Sequence, residues 1–316
     1  MRVAILGATS QIANDLVQSM HVQGEDELVL YARRPHTVDQ WLIKTGLRDR
    51  YTVADFRAFA ASERFDVIVN FVGVSNPAQA TAMGAEILEV TLKYDALALG
   101  YLHRHPSCRY IFLSSGAAYG ASFDRPVDSS TNATYPINRL QPQDWYGIAK
   151  FHAECRHRAS AHLSIVDVRI FNYFSHTQDM AARFLITDIL RAIRGGSVLQ
   201  TSSDYMVRDY LHPSDFHQLI AALMRAPAVN TVVDCYTKAP IDKPSLLAAI
   251  KDEFGLRFVA TAHESAVNAT GGKPHYYSLN RRAADFGYSP SLTSLQGVLK
   301  EMRIALLKHQ EMPRLH

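Results

Sequence analysis

Val3-Ala4-Ile5-Leu6-Gly7-Ala8-Thr9-Ser10-Gln11-Ile12-Ala13 is the stretch whose reading decides the fold. Val3 to Leu6 is a short, unbroken apolar run, as expected of a strand buried on both faces. Ile12, Leu16 and Met20 then recur at helical spacing, with Gly24 where such a helix would stop. A glycine turn that opens a helix lets backbone N–H groups and the helix dipole meet a pyrophosphate. Gly7 suits the tight turn and Ala13 suits close helix–strand packing, while Ser10 stands where a glycine would allow the closest phosphate approach.

Downstream, the same alternation repeats. Leu28-Val29-Leu30-Tyr31 reads as a second strand, and Trp41, Leu42 and Leu47 suit a helix. Tyr51-Thr52-Val53 is a third strand, and Asp66 to Gly73 a fourth. The stretch 78–103 reads as one long helix, and Arg109 to Ser115 as a fifth strand. Strands alternating with helices predict an α/β fold, a Rossmann-type doubly wound parallel sheet. Ligands of such sheets bind at the carboxyl ends of the strands. At the end of the second strand stand Arg33 and Arg34 with no acid beside them. An acid there would bind adenosine ribose hydroxyls, whereas arginine accommodates a 2′-phosphate, so the reading favours NADP with NAD as the alternative.

From Asp179 the pattern loosens, and elements with longer, irregular connections suggest a smaller substrate lobe. The expected division is 1–170 for the dinucleotide-binding domain and 171–316 for the lobe, with some lobe segments returning to the sheet. The 316 residues are 47% hydrophobic and 20% charged with a formal charge of +3, an ordinary globular composition that argues against nucleic-acid or membrane partners. Three scattered cysteines and an apolar run that opens as early as Val3 suggest a cytoplasmic protein without disulfides or a leader. The 14 histidines show no paired ligand spacing, so no metal is expected, and His152, His157 and His162 read as surface decoration.

Chemistry enters at Asp144-Trp145-Tyr146-Gly147-Ile148-Ala149-Lys150. Tyr146 and Lys150 are four residues apart and share a helix face. A lysine ammonium beside a phenol favours the phenolate and would lower its pKa, making tyrosine a usable proton donor and acceptor. Ser114 and Ser115 end the fifth strand, and the polar stretch 122–144 reads as a loop over the site. This order puts Ser115 and Tyr146 at one edge of the sheet, within reach of one substrate oxygen. Tyr276-Tyr277 reads as packing.

Gly7 to Ala13, Ser115, Tyr146 and Lys150 together resemble the extended short-chain dehydrogenase/reductase family, and its nucleotide-sugar epimerases, dehydratases and ketoreductases most of all. The resemblance implies catalysis by Ser115, Tyr146 and Lys150. It implies cofactor contacts from Gly7, Thr9, Ser10, Gln11, Ile12 and Ala13, from Arg33 and Arg34, from Asp55 near adenine, and from Phe71, Val72 and Gly73. Asn172 in Asp167-Val168-Arg169-Ile170-Phe171-Asn172 is similar to the asparagine that faces the sugar nucleotide. Arg208 in Val207-Arg208-Asp209-Tyr210 is similar to the arginine that approaches the substrate diphosphate. Phe286-Gly287-Tyr288-Ser289-Pro290 resembles the family's terminal signature.

Three departures narrow the reading. Ser10 and Ala13 replace usual glycines, and Tyr173-Phe174-Ser175-His176 replaces the common Tyr-Gly-Pro. Gly116 and Ala117 stand where 4,6-dehydratases carry an Asp-Glu pair, so water elimination lacks its acid and base. The expectation is NADPH-dependent reduction of a nucleotide-linked 4-keto sugar. The alternatives are a 4-epimerase that retains NAD and, from another class, a noncatalytic NADP-binding sensor. The family often forms homodimers, and 78–103 against the Tyr146 helix is a candidate seam, although core packing explains the same residues.

Overall fold

Strand β1 (Arg2–Leu6) is apolar and buried from Val3 to Leu6 because it is covered twice. Val3 and Ile5 point to a core shared with Leu16, Phe216 and Leu219, whereas Ala4 and Leu6 point to one shared with Leu102, Tyr110 and Phe112. Alternate side chains leave a strand on opposite faces, so one continuous run feeds two cores. The computed structural model describes residues 1–24, 26–59, 62–74, 80, 82–120, 122–261 and 273–310.

Around β1 run β2 (Glu27–Tyr31), β3 (Thr52–Ala54), β4 (Val67–Asn70), β5 (Arg109–Ser115) and β6 (Ile165–Ile170). With the strand Asn230–Asp234 they make a seven-stranded sheet in the order Asn230–Asp234, β6, β5, β4, β1, β2, β3. Every pairing in it is parallel. The chain winds one way from β1 through β3 and the other way from β4 onward. The order therefore reverses between β1 and β4, and that junction is where a doubly wound sheet opens a ligand crevice. The expected α/β class is the observed one.

Helix α1 (Gln11–Gln23) ends at Gly24 in the left-handed conformation, as Gly24 suggested. Helix α2 (Pro35–Lys44) starts on a proline and stops before Leu47, which packs in the core from the following turn. The fourth strand is shorter than the apolar run Asp66 to Gly73, because the backbone leaves the sheet after Asn70. The long helix read over 78–103 is α3 (Glu86–Leu102); Gly84, at φ +53°, sits in the turn before it, and 78, 79 and 81 lie outside the described residues.

Helix α4 (Trp145–Ala159) packs on α3. His157 on α4 corrects the expectation of a surface histidine: it is wholly buried. Its Nδ1 lies 2.6 Å from Asp167 and its Nε2 2.7 Å from Asp95. Burial alone would pull the imidazole down, but the two carboxylates overcome it and hold it at about 9.

After β6 the chain builds a lobe with its own core, where Ile189, Leu190, Leu246, Ile250, Val298 and Met302 meet. The short strands Asn172–Tyr173 and Tyr210–Leu211 pair in parallel. Val207–Arg208 lies between Ile241–Asp242 and His275–Tyr276. Helix Pro213–Arg225 packs on α1, and Asn230–Asp234 joins the main sheet beside β6. No helix among the described residues is long and apolar enough to cross a membrane.

Candidate active site

Gly7 occupies the end of β1 with φ +84°, and a Cβ there would lie 2.9 Å from the Val72 backbone nitrogen. The close approach joins the ends of β1 and β4, since the Phe71 N–H also donates to the Leu6 carbonyl at 2.8 Å. Only glycine meets both conditions without strain. Three residues later Ser10 is the N-cap of helix α1, and the serine makes no side-chain capping bond. The first N–H groups of α1 thus keep their capacity for an anion at the crevice. Thr9 is exposed, Ser10, Gln11 and Ile12 are half-buried, and Ala13 is buried under the sheet. Gln11 also reaches the lobe, donating to Ser175 Oγ at 2.8 Å.

At the end of β2, Arg33 and Arg34 are both exposed. Asp55 follows β3, caps a short turn by accepting from the Arg57 N–H, and pairs with the Arg57 guanidinium at 2.8 Å. At the end of β4, Phe71 is buried and Gly73 exposed, and Gly73 lies against Lys150: a Cβ on it would be 3.2 Å from Nζ. A glycine turn, two exposed arginines and a lysine of α4 against Gly73 thus stand at the carboxyl ends of β1, β2 and β4, and these residues fit a dinucleotide.

Ser115 ends β5 and is buried, with its Oγ accepting from the Ala117 N–H at 3.2 Å. Helix α4 reaches this turn because its second residue after Trp145 is Gly147. A Cβ at Gly147 would lie 2.6 Å from the Ala117 carbonyl oxygen. That close approach sets Tyr146 against Ser115. Pro142 and the Gln141 N–H, which donates to Asp144 Oδ2 at 2.8 Å, fix the turn leading into the helix. Lys150 is buried, donates from Nζ to the Leu113 carbonyl at 2.6 Å, and sits 4.5 Å from the Phe112 ring centre and 5.9 Å from that of Tyr146.

The electrostatics differ from the expected phenol–ammonium pair. Burial pushes the Tyr146 phenol up, and a hydrogen bond with Ser115 pulls it part of the way back. Burial pulls Lys150 down to about 8, against the opposing carboxylates of Asp95, Glu154 and Asp167. Desolvation outweighs the mutual influence of the two side chains because Lys150 turns its ammonium toward Leu113. Ser115, Tyr146 and Lys150 converge all the same, and a protonated Tyr146 suits proton donation.

Asn172 and Arg208 stand on the lobe side. Asn172 Nδ2 donates to the Tyr276 carbonyl at 3.3 Å. Arg208 is buried and donates to the Val207 and Lys273 carbonyls at 2.9 and 2.8 Å. Tyr276 was read as packing, and it does join Tyr119, Phe123, Val127 and Phe171 in a small cluster. Its hydroxyl, however, lies 3.3 Å from Ser115 Oγ. No spacing in the sequence links positions 115 and 276; the strand pairing of His275–Tyr276 with Val207–Arg208 makes the link. Among the described residues there is no histidine, cysteine, aspartate and glutamate cluster able to hold a metal.

A reversing parallel sheet with a glycine turn at its crevice and a Ser–Tyr–Lys cluster beside it defines a dinucleotide-binding fold of the Rossmann type. The chain belongs to the NAD dependent epimerase/dehydratase family, whose profile matches residues 3–235; it is an enzyme family of the extended short-chain dehydrogenase/reductase group. Among solved structures, the chain is similar to the UDP-glucose 4-epimerase of Thermotoga maritima with UDP-glucose, at 17% identity and TM-score 0.78, over 98% of this chain and 100% of that one. It is similar to the UDP-glucuronic acid 4-epimerase of Bacillus cereus in complex with UDP-glucuronic acid and NAD, at 15% identity and TM-score 0.78 over the same shares. The dTDP-glucose 4,6-dehydratase of Bacillus anthracis in complex with NAD is 15% identical, with TM-score 0.76 and 98% of each chain covered. At these identities the likeness is one of fold. No curated protein matches the chain.

Proposed function

We propose that this chain binds NADP(H) in the β1–β4 crevice and reduces a nucleotide-linked 4-keto sugar. The observation that carries the reading is the convergence of Ser115, Tyr146 and Lys150 beside Gly73, at the edge of that crevice. The Gly7 turn and the first N–H groups of α1 hold the pyrophosphate, and Arg33 and Arg34 meet the 2′-phosphate. When bound, the nicotinamide supplies the hydride for the keto carbon. Ser115 donates a hydrogen bond to the keto oxygen and Tyr146 gives it a proton. The Lys150 ammonium stabilises the phenolate left behind. Arg208 and Asn172 face the nucleotide-sugar side, with the guanidinium suited to a diphosphate. The chain divides near residue 170 in this reading, and a homodimer forms through α3 and α4.

Gly116 supports reduction over dehydration. A Cβ at that position would collide with the Phe171 ring, so a carboxylate side chain has no room there. A second reading, a 4-epimerase with retained NAD, uses the same residues. It is supported by the similar folds of the UDP-glucose and UDP-glucuronic acid 4-epimerases, the latter holding NAD.

The test is a thermal-shift panel of NAD(H) and NADP(H), each with UDP-, GDP-, CDP- and dTDP-sugars, followed by turnover. Stronger stabilisation by NADP(H), and NADPH consumption with a 4-keto sugar, support the reductase. Tightly bound NAD in the purified protein with no net NADPH consumption would favour the epimerase. If Tyr146→Phe left all turnover unchanged, the noncatalytic sensor would gain.

A further inference from the structure

A hydroxyl has one hydrogen to give and two lone pairs with which to accept. At Ser115 the Ala117 N–H takes one lone pair at 3.2 Å, and the Tyr276 hydroxyl lies 3.3 Å away. We propose that Tyr276 is a positioning residue that donates to Ser115 Oγ, fills its second lone pair, and so commits the serine hydrogen to the oxygen at Tyr146. The inference rests on the catalytic reading of Ser115 and Tyr146.

Either hydroxyl could donate in the Ser115–Tyr276 pair, and the surroundings of Tyr276 favour its own as the donor. Its ring is buried in the cluster with Phe123 and Phe171. Two cations lie off the ring, Lys273 at 4.9 Å and Arg208 at 5.9 Å from its centre. Cations on an aromatic face draw electron density from it, which strengthens the hydroxyl as a donor. Burial raises the phenol far above its ordinary value, so Tyr276 keeps its proton throughout the working pH range. Its backbone is anchored as well: its carbonyl accepts from Asn172, and its strand pairs beside Arg208. One residue thereby ties the serine to both side chains assigned to the nucleotide sugar.

Two measurements test this. In the cofactor-free protein, ring-carbon NMR of labelled tyrosine follows the titration of Tyr146, identified as the resonance lost in Tyr146→Phe. Tyr276→Phe removes the donor, frees the serine hydrogen, and should raise the Tyr146 pKa by about half a unit to one unit, the equivalent of one hydrogen bond. An unchanged titration would overturn the proposal. The second measurement is a double-mutant cycle in NADPH-dependent reduction of dTDP-4-keto-6-deoxyglucose. Tyr276→Phe alone should lower kcat about three- to tenfold with little change in KM, and should add nothing in a Ser115→Ala background. A merely structural role gives equal losses in both backgrounds and overturns the proposal. Full turnover by Ser115→Ala would instead refute the catalytic reading itself, and the proposal with it. Phenylalanine keeps the ring and its packing, so the fold is retained.

Discussion

Gly147→Ala separates the geometry of the site from the stability of the fold. An alanine Cβ would sit 2.6 Å from the Ala117 carbonyl oxygen, in backbone that cannot swing aside as a side chain does. Restoring an ordinary van der Waals separation moves the start of α4 by roughly 1 Å. That displacement carries Tyr146 away from Ser115, and a misplacement of about 1 Å costs on the order of a hundredfold in rate. Stability changes far less. Overpacking costs about 1–3 kcal/mol, while alanine in place of glycine inside a helix returns about 1 kcal/mol. The expected variant is folded, binds the dinucleotide pyrophosphate through the Gly7 turn, and turns over about a hundredfold more slowly than the wild type. Nicotinamide absorbance reads the rate and thermal unfolding reads the fold. Undiminished turnover in a folded Gly147→Ala would refute the claim that this contact sets Tyr146 in place.

Three further outcomes are expected. Lys150→Met abolishes turnover and, in the cofactor-free protein, raises stability by ~1–3 kcal/mol, because a buried ammonium is removed at the cost of one hydrogen bond to Leu113. The gap between variant and wild type is full below about pH 8, where Lys150 is charged in both folded and unfolded states, and closes as pH rises toward 10.5; urea melts at several pH values check the sign. His157→Phe removes the cation that Asp95 and Asp167 share, leaving them only Arg156 and Arg158, and lowers stability by about 1–3 kcal/mol, measured by denaturant melts at pH 6. Arg33→Ser and Arg34→Ser each weaken NADP(H) about tenfold and leave NAD(H) unchanged in calorimetric titration, one charge-assisted bond to the 2′-phosphate being lost in each.

The sheet and its crevice were legible because their signals are local. A buried strand ending at Gly7, a capped helix ending at Gly24, and Ser115 at a strand end each follow from a few neighbouring residues. Helical spacing puts Tyr146 and Lys150 on one face, and their place downstream of Ser115 on the sheet is what singled the pair out. The phenol–ammonium influence was misjudged because spacing says nothing of burial, and desolvation dominates at both groups. His157 was misread for a related reason. Its partners, Asp95 on α3 and Asp167 on β6, are distant in sequence, so the pairing that permits a buried charge was invisible. Tyr276 was missed because the lobe is stitched from two-residue strands, whose pairing leaves no periodicity to read.

The central claim is that hydride and proton meet one sugar carbonyl at Ser115 and Tyr146, with a freely exchanging nicotinamide cofactor. Deuterium transfer from labelled NADPH tests it most directly. Wild-type protein supplied with deuterated NADPH and a nucleotide-linked 4-keto sugar should place one deuterium on the former keto carbon of the bulk product, and Tyr146→Phe should place none. A product converted at its C4 centre without deuterium, or label transfer undiminished in Tyr146→Phe, would contradict the account.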